Sequence, residues 1–241
     1  MGTYKETLRN KQAELIRKAT DGSVFIASMD APVVDKTSLF DTTGLKAFES
    51  TGTTPWDDLG WLTNDGAQFS RDVETSDITS WGSISPTRTD VTSDASTLTV
   101  SCQETKLLTI GLATGIDTST IEADVNGAVE IRKPTKPSSK SYQVLSLAVD
   151  EYNNKEIYIA RYLPRGKVTG FAEQNFGSGD EAIAWGVTFT GEENSTLGFS
   201  DWAVASTRVL IFAAASWSIS PSRNAVSTPF SYVVRIINFL S

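Results

Sequence analysis

Gln68-Phe69-Ser70-Arg71-Asp72-Val73-Glu74-Thr75-Ser76 alternates residue by residue. Gln68, Ser70, Asp72, Glu74 and Ser76 fall on one side, and Phe69, Arg71, Val73 and Thr75 on the other. Period two marks a strand with one wet face and one partly packed face. The pattern returns downstream, where Thr97, Thr99, Ser101 and Gln103 interleave with Leu98, Val100 and Cys102. Trp81-Gly82 and Ser85-Pro86 interrupt the ribbon, and Ser93-Asp94 reads as a second turn. Residues 67–115 therefore predict three strands followed by a short helix. Leu107, Leu108, Ile110, Gly111 and Leu112 form that helix, stopped by Gly115. A ribbon of this length carries unpaired backbone groups along its edges and needs a partner or closure. We expect Phe69, Val73, Leu98 and Val100 to lie where the ribbon pairs between copies of the chain.

Upstream, residues 3–20 read as a helix, with Thr3 and Glu6 as a capping box and Asp21-Gly22 as the stop. Its apolar stripe is thin (Tyr4, Leu8, Leu15, Ala19), and Lys5, Arg9, Lys11, Arg17 and Lys18 make a basic, solvated face. Residues 24–27 predict a short strand. Residues 30–58 have no periodicity and are broken by Pro32, Gly44, Gly52 and Pro55. Segments of that length are usually functional or disordered, and an arm reaching another copy is the reading we favour. Asn64-Asp65-Gly66 is a strong turn signal.

Downstream, residues 125–132 read as a strand around Asn126-Gly127. Residues 142–149 and 157–162 predict a hairpin about Asn153-Asn154, and 167–175 with 182–190 a second. Residues 209–217 and 232–240 are apolar and predict two buried strands. The whole is mainly β: a β-sandwich with one short helix, plus an N-terminal helix and arm. The divisions expected are 1–58 for helix and arm, 59–200 for the sandwich, and 201–241 for an apolar extension.

Composition narrows the chemistry. Among 241 residues there is one cysteine and no histidine, and the formal net charge is −8. The commonest metal ligand and general base is thus missing. A disulfide within the chain is excluded, and Cys102 reads as a small buried hydrophobe. No cofactor and no metal site are expected. The acidic balance opposes stable nucleic-acid binding, which needs clustered Lys and Arg. Residues 1–6 lack the apolar core of a signal peptide, and the longest apolar run is too short for a spanning helix. Synthesis in a cytoplasm and no membrane partner are expected.

Catalytic arrangements are weak. Asp57 and Asp58 are adjacent, so a strand would turn them to opposite sides. Asp72 and Glu74 share a face, but a paired-carboxylate glycosidase sets its acids about 5–9.5 Å apart across a cleft. Ser178 between two glycines lacks the histidine of a nucleophile motif. A carbohydrate-binding or adhesin-like β-sandwich is the alternative of another class. It would use tryptophans such as Trp56 and Trp61.

Several runs carry a family resemblance. They are Leu59-Gly60-Trp61-Leu62-Thr63-Asn64-Asp65-Gly66-Ala67-Gln68-Phe69, the acidic alternation leading to Ile78-Thr79-Ser80-Trp81, and Arg88-Thr89-Asp90-Val91-Thr92-Ser93 before a strand and a helix. Tyr162-Leu163-Pro164-Arg165-Gly166-Lys167-Val168-Thr169 and Ala184-Trp185-Gly186-Val187-Thr188-Phe189-Thr190 follow in order. Across residues 56–200 the chain resembles the major tail (tail tube) proteins of long-tailed, non-contractile bacteriophages. The resemblance implies a β-sandwich with a long β-hairpin and one short flanking helix, and a structural virion protein, self-assembled into stacked hexameric rings that conduct the genome during ejection. It implies partners in a tape measure protein, a tail terminator and distal tail or baseplate proteins, and only transient passage of DNA. Gln68, Ser70, Asp72, Glu74 and Ser76 would then face the lumen.

Overall fold

The computed structural model describes residues 15–40, 45, 55–118, 121–132, 135, 140–152, 155–177 and 182–205. Among them are eight strands: β1 (Asp21–Ala27), β2 (Asp57–Asp58), β3 (Gln68–Ile78), β4 (Arg88–Cys102), β5 (Ser141–Tyr152), β6 (Lys155–Phe171), β7 (Trp185–Gly191) and β8 (Trp202–Ala205). Two helices accompany them, α1 (Lys36–Leu39) and α2 (Leu107–Thr114). The strands form one antiparallel sheet in the order β2-β1-β5-β6-β7-β4-β3, with β8 also paired to β6. This is the mainly β fold with a short helix that the patterning predicts, and it has the long hairpin that the family resemblance implies.

The sheet folds over on itself through β6. The first half of that strand runs between β5 and β8, and its last residues pair with β7. The strand passes Pro164 at a bulge, where the register with β5 slips between Tyr142 and Val144. A bulge is where a strand accommodates proline, because a ladder bond is already missing there. The fold brings Val24, Ile26, Val144 and Leu163 against Leu98, Val100, Val187 and Phe189 in one buried cluster. Leu112 of α2 joins it, and α2 ends at Gly115 with φ 70° as its sequence predicts.

Alternate residues of the central strands enter a second cluster. Ala27, Leu145, Leu147, Ala160 and Tyr162 pack under Ala31, Val34, Leu39 and Trp56. Residues 31–40, expected as part of an arm toward another copy, thus cover the chain's own sheet. Asp35 caps α1, accepting from the amides of Thr37 and Ser38 at 2.9 and 2.7 Å. Beneath it, buried Gln143 donates through Nε2 to the carbonyls of Ala31 (2.6 Å) and Ser28 (3.2 Å) and accepts from the Tyr162 hydroxyl. Burial pushes the Tyr162 phenol up to about 12.

Several expectations are corrected. Residues 16–20 are not helical, and Asp21-Gly22 opens β1 instead of stopping a helix. Gly22 is needed there for close approach: a Cβ on it would sit 2.7 Å from the Leu147 carbonyl oxygen. Arg17 is not on a solvated face. Its guanidinium is 3.8 Å from Asp150, and both side chains are mostly buried. Residues 125–132 form a turn and extended chain, not a strand. The Asp124 carboxylate accepts from the amides of Asn126 and Ala128, each at 2.8 Å, and so takes the backbone donors a ladder would use. The remainder of the N-terminal helix expectation, and the strands expected at 209–217 and 232–240, lie outside the described residues. Cys102 is fully buried, and its thiol is pushed up to about 11 by burial.

Candidate functional site

The three-stranded ribbon is a single two-stranded hairpin. β3 pairs with β4 from Gln68↔Thr99 out to Ile78↔Arg88. Its turn is at residues 79–86, where Gly82 takes φ 85° and the Ser83 amide donates to the Ser80 carbonyl at 3.0 Å. Ser93-Asp94 does not turn. The register slips there instead: Glu74 faces Ser93, Thr75 faces Val91, and Thr92 is the extra residue. Bulge and turn draw on the same small polar residue types, which is why one signal served for the other.

Gln68, Ser70, Asp72, Glu74 and Ser76 are all exposed. Beyond Phe69 the ribbon is wet on both faces, because Arg71, Val73 and Thr75, expected on a partly packed face, are exposed as well. The bulge lies on β4, so β3 keeps its own alternation through Ser76. The polar face continues across neighbouring strands, because Gln68 and Ser70 stand opposite Thr99 and Thr97, which stand opposite Thr188 and Thr190. Threonine hydroxyls link it, Thr99 to Thr188 at 3.0 Å and Thr169 to Thr190 at 2.7 Å. Neither Asp72 nor Glu74 has a salt-bridge partner among the described residues.

On the other face Arg71 and Asp94 form an ion pair. Arg71 donates through Nε to Asp94 at 2.7 Å, which holds the Asp94 carboxyl below its ordinary range and raises the guanidinium. At the hairpin's base, the Arg161 guanidinium lies 4.7 Å from the centroid of the Phe69 ring. Asp201 is 3.8 Å from Arg161 and accepts from Ser96 Oγ at 3.1 Å. Sequence reading missed Arg161, Ser96 and Asp201, since no local pattern links residues so far apart.

The residues expected at the pairing edge divide. Leu98 and Val100 are core residues of the chain itself, and β4 already has β3 on one side and β7 on the other. Phe69 and Val73 lie on β3, which among the described residues is the end of the sheet and has no strand on its outer edge. The turn also carries Trp81 and Ile84, both fully exposed.

Other chemistry finds little support. No group of three or more His, Cys, Asp or Glu that could hold a metal occurs among the described residues. Asp72 and Glu74 stand on an open ribbon rather than across a cleft. A cleft of about 270 Å³ beside α2 is lined by Ile26, Leu108, Leu112, Tyr142, Asp117 and Lys140, the last two 3.4 Å apart. Trp56, named for a sugar platform, is 6% exposed and packs against Tyr162. No helix among the described residues is long and apolar enough to cross a membrane.

The sequence profile of a family described as phage tail tube protein matches residues 9–207. The chain belongs to the phage tail tube protein family. The match takes in every strand described above, so the hairpin and its polar face are parts of a tail tube protein, a structural component of the phage tail. Two solved structures are similar. One is a chain of the anti-feeding prophage (AFP) baseplate, 6-fold symmetrised, determined by cryo-electron microscopy: 9% identical, covering 76% of this chain and 91% of that one, TM-score 0.38. The other is an Hcp protein: 10% identical, covering 77% and 99%, TM-score 0.31. No curated protein sequence matches the chain.

Proposed function

We propose that copies of this tail tube protein pair through the free edge of β3, close into hexameric rings, and stack into a tube whose bore carries the genome. The observation that carries this reading is the edge itself. β3 is 11 residues long, ends the sheet among the described residues, and contains neither Pro nor a bulge of its own. Natural edges that stay monomeric are shortened, bulged or guarded by charge; β3 is neither short nor bulged, and its charges are Arg71, Asp72, Glu74 and Asp77. Pairing around a ring removes the edge and converts many weak backbone bonds into one cooperative closure. Trp81 and Ile84 at the tip add an apolar surface that a monomer leaves in water.

Gln68, Ser70, Asp72, Glu74 and Ser76 then line the bore, with the threonines of β4 and β7 beside them. Unpaired carboxylates repel phosphate, and hydroxyls offer no fixed charge to hold it, so DNA slides rather than binds. The tube would sit in the virion tail after synthesis in the host cytoplasm, and end against a tape measure protein, a terminator and distal tail or baseplate proteins.

The test is electron microscopy of the purified protein and of tubes it forms. Six-fold rings with Asp72 and Glu74 facing the bore are the expected result. An assembly in which β3 pairs with nothing, or in which those carboxylates face outward, overturns the proposal.

A further inference from the structure

We propose that Arg161 and Asp201 lock the angle at which the β3–β4 hairpin leaves the body, with Arg161 as the positioning residue. β4 runs into the body's ladder with β7 at Thr97, and at the outer end of that ladder each strand of the hairpin makes one side-chain contact with the body. Phe69 of β3 lies under the Arg161 guanidinium at 4.7 Å, and Ser96 of β4 donates to Asp201 at 3.1 Å. Arg161 and Asp201 are themselves joined at 3.8 Å. Arg161 is on β6, opposite Ala203 of β8 and Ser146 of β5, so its backbone belongs to the rigid body. The four groups form one bridge from body to hairpin.

The bridge stands where the core stops. Leu98, paired with Phe69, is fully buried, and Ser96, paired with Arg71, is 4% exposed. Beyond it the hairpin's named side-chain bonds run within the hairpin: Arg71 to Asp94, Thr92 to the Glu74 carbonyl, Thr89 to Asp77, Arg88 to Asp90. A ribbon that holds only itself keeps its own twist but does not set its direction. At about 3.4 Å per residue β3 extends roughly 35 Å, so a small rotation at the base moves the tip by many ångströms. A planar guanidinium that stacks on a ring and reaches a carboxylate defines an angle as an ammonium on a flexible stem does not. That this angle presents the β3 edge to a neighbouring copy rests on the function proposed above.

The experiment reads the angle directly. Spin labels at Ser83→Cys in the turn and Glu151→Cys on β5 report tip-to-body distance by pulsed electron resonance, in labelled protein diluted with unlabelled protein. Cys102 is buried and does not compete for label. We expect one narrow distribution in the parent, and a distribution roughly twice as broad on Arg161→Ala, in keeping with loosened collective motion. Asp201→Asn, which keeps shape and loses charge, should broaden it in the same direction and guards against a misfolded Arg161→Ala. Arg161→Lys should fail to restore the narrow distribution. Unchanged width in Arg161→Ala and Asp201→Asn overturns the lock whatever tubes form. Broadening in those variants supports the lock even if no variant, the parent included, forms tubes, a result that would overturn the ring reading alone.

Discussion

Two hairpins in this molecule have opposite relations to water. The β5–β6 hairpin is buried on both faces at its centre: Gln143, Val144, Leu145, Ser146 and Leu147 are all buried, odd-numbered residues toward one cluster and even-numbered toward the other. The outer β3–β4 hairpin is exposed on both faces from Arg71 to Ile78. Both are antiparallel ribbons with good strand-forming sequence. What separates them is covering. One is wrapped by its own chain and carries the stability of the fold. Among the described residues the other has neither a second layer nor a neighbour on its β3 edge, and a ribbon in that condition is marginal alone. The contrast teaches where the proposed assembly would act: on the ribbon that the described residues leave uncovered.

Disturbing the covered region should have the largest effect. Phe189→Ala, which empties a fully buried site between the two halves of the folded sheet, should lower unfolding free energy by about 3–5 kcal/mol in chemical denaturation. Val73→Ala, on the outer ribbon, should change it by no more than about 0.5 kcal/mol. Comparable losses at the two positions would break the contrast.

Gly22→Ala tests how tightly β1 is seated on β5. The new Cβ would meet the Leu147 carbonyl oxygen at 2.7 Å. Overpacking of this kind costs about 1–3 kcal/mol, again read by denaturation.

The free edge can be probed without touching the core. Adjacent strand residues point their amides to opposite sides, so of Val73→Pro and Glu74→Pro one removes an outward donor and spares the ladder with β4. That variant should keep the parent's melting behaviour and lose assembly, scored by electron microscopy. Full assembly by both proline variants would sink the edge-pairing reading.

The polar face should be nearly silent in stability. Asp72→Asn with Glu74→Gln should stay within about 0.5 kcal/mol of the parent. Assembled tubes bearing both changes should retain DNA at low salt where the parent's do not.

The smallest effect concerns pH at the hairpin. Arg71 holds the Asp94 carboxyl below its ordinary value of 3.8. A depressed folded-state value stabilises above the ordinary value, and the contribution is lost as pH falls through the lowered one. Hydrogen exchange of residues 70–96, corrected for intrinsic rate, should therefore accelerate only in strong acid. The difference should be absent in Asp94→Asn.

Much of this fold was legible from period and punctuation. The alternation from Gln68 to Ser76, the stop at Gly115 and the pairing of the neighbouring strands β5 and β6 are local properties, since side-chain direction along a strand and the left-handed cap of a helix need only neighbouring residues. Local signals failed where two structures use the same residues. Ser93-Asp94 could turn or bulge, Asp21-Gly22 could stop a helix or open a strand, and Asn126-Gly127 could join strands or stand alone. In each case the outcome depended on what the opposite strand or side chain offered.

By itself, then, the order of residues determined which side chains share a side of the ribbon, that the domain is built of strands, and that histidine chemistry is absent. Tertiary structure alone decided that Leu98 and Val100 are interior rather than at an edge, that β3 is the strand left open, and that Arg161 and Asp201 meet Phe69 and Ser96. The reason is range. Facing direction is set within two residues along a strand, whereas burial, edge position and the meeting of residues as far apart as Phe69 and Arg161 or Ser96 and Asp201 exist only once the sheet has closed over its core.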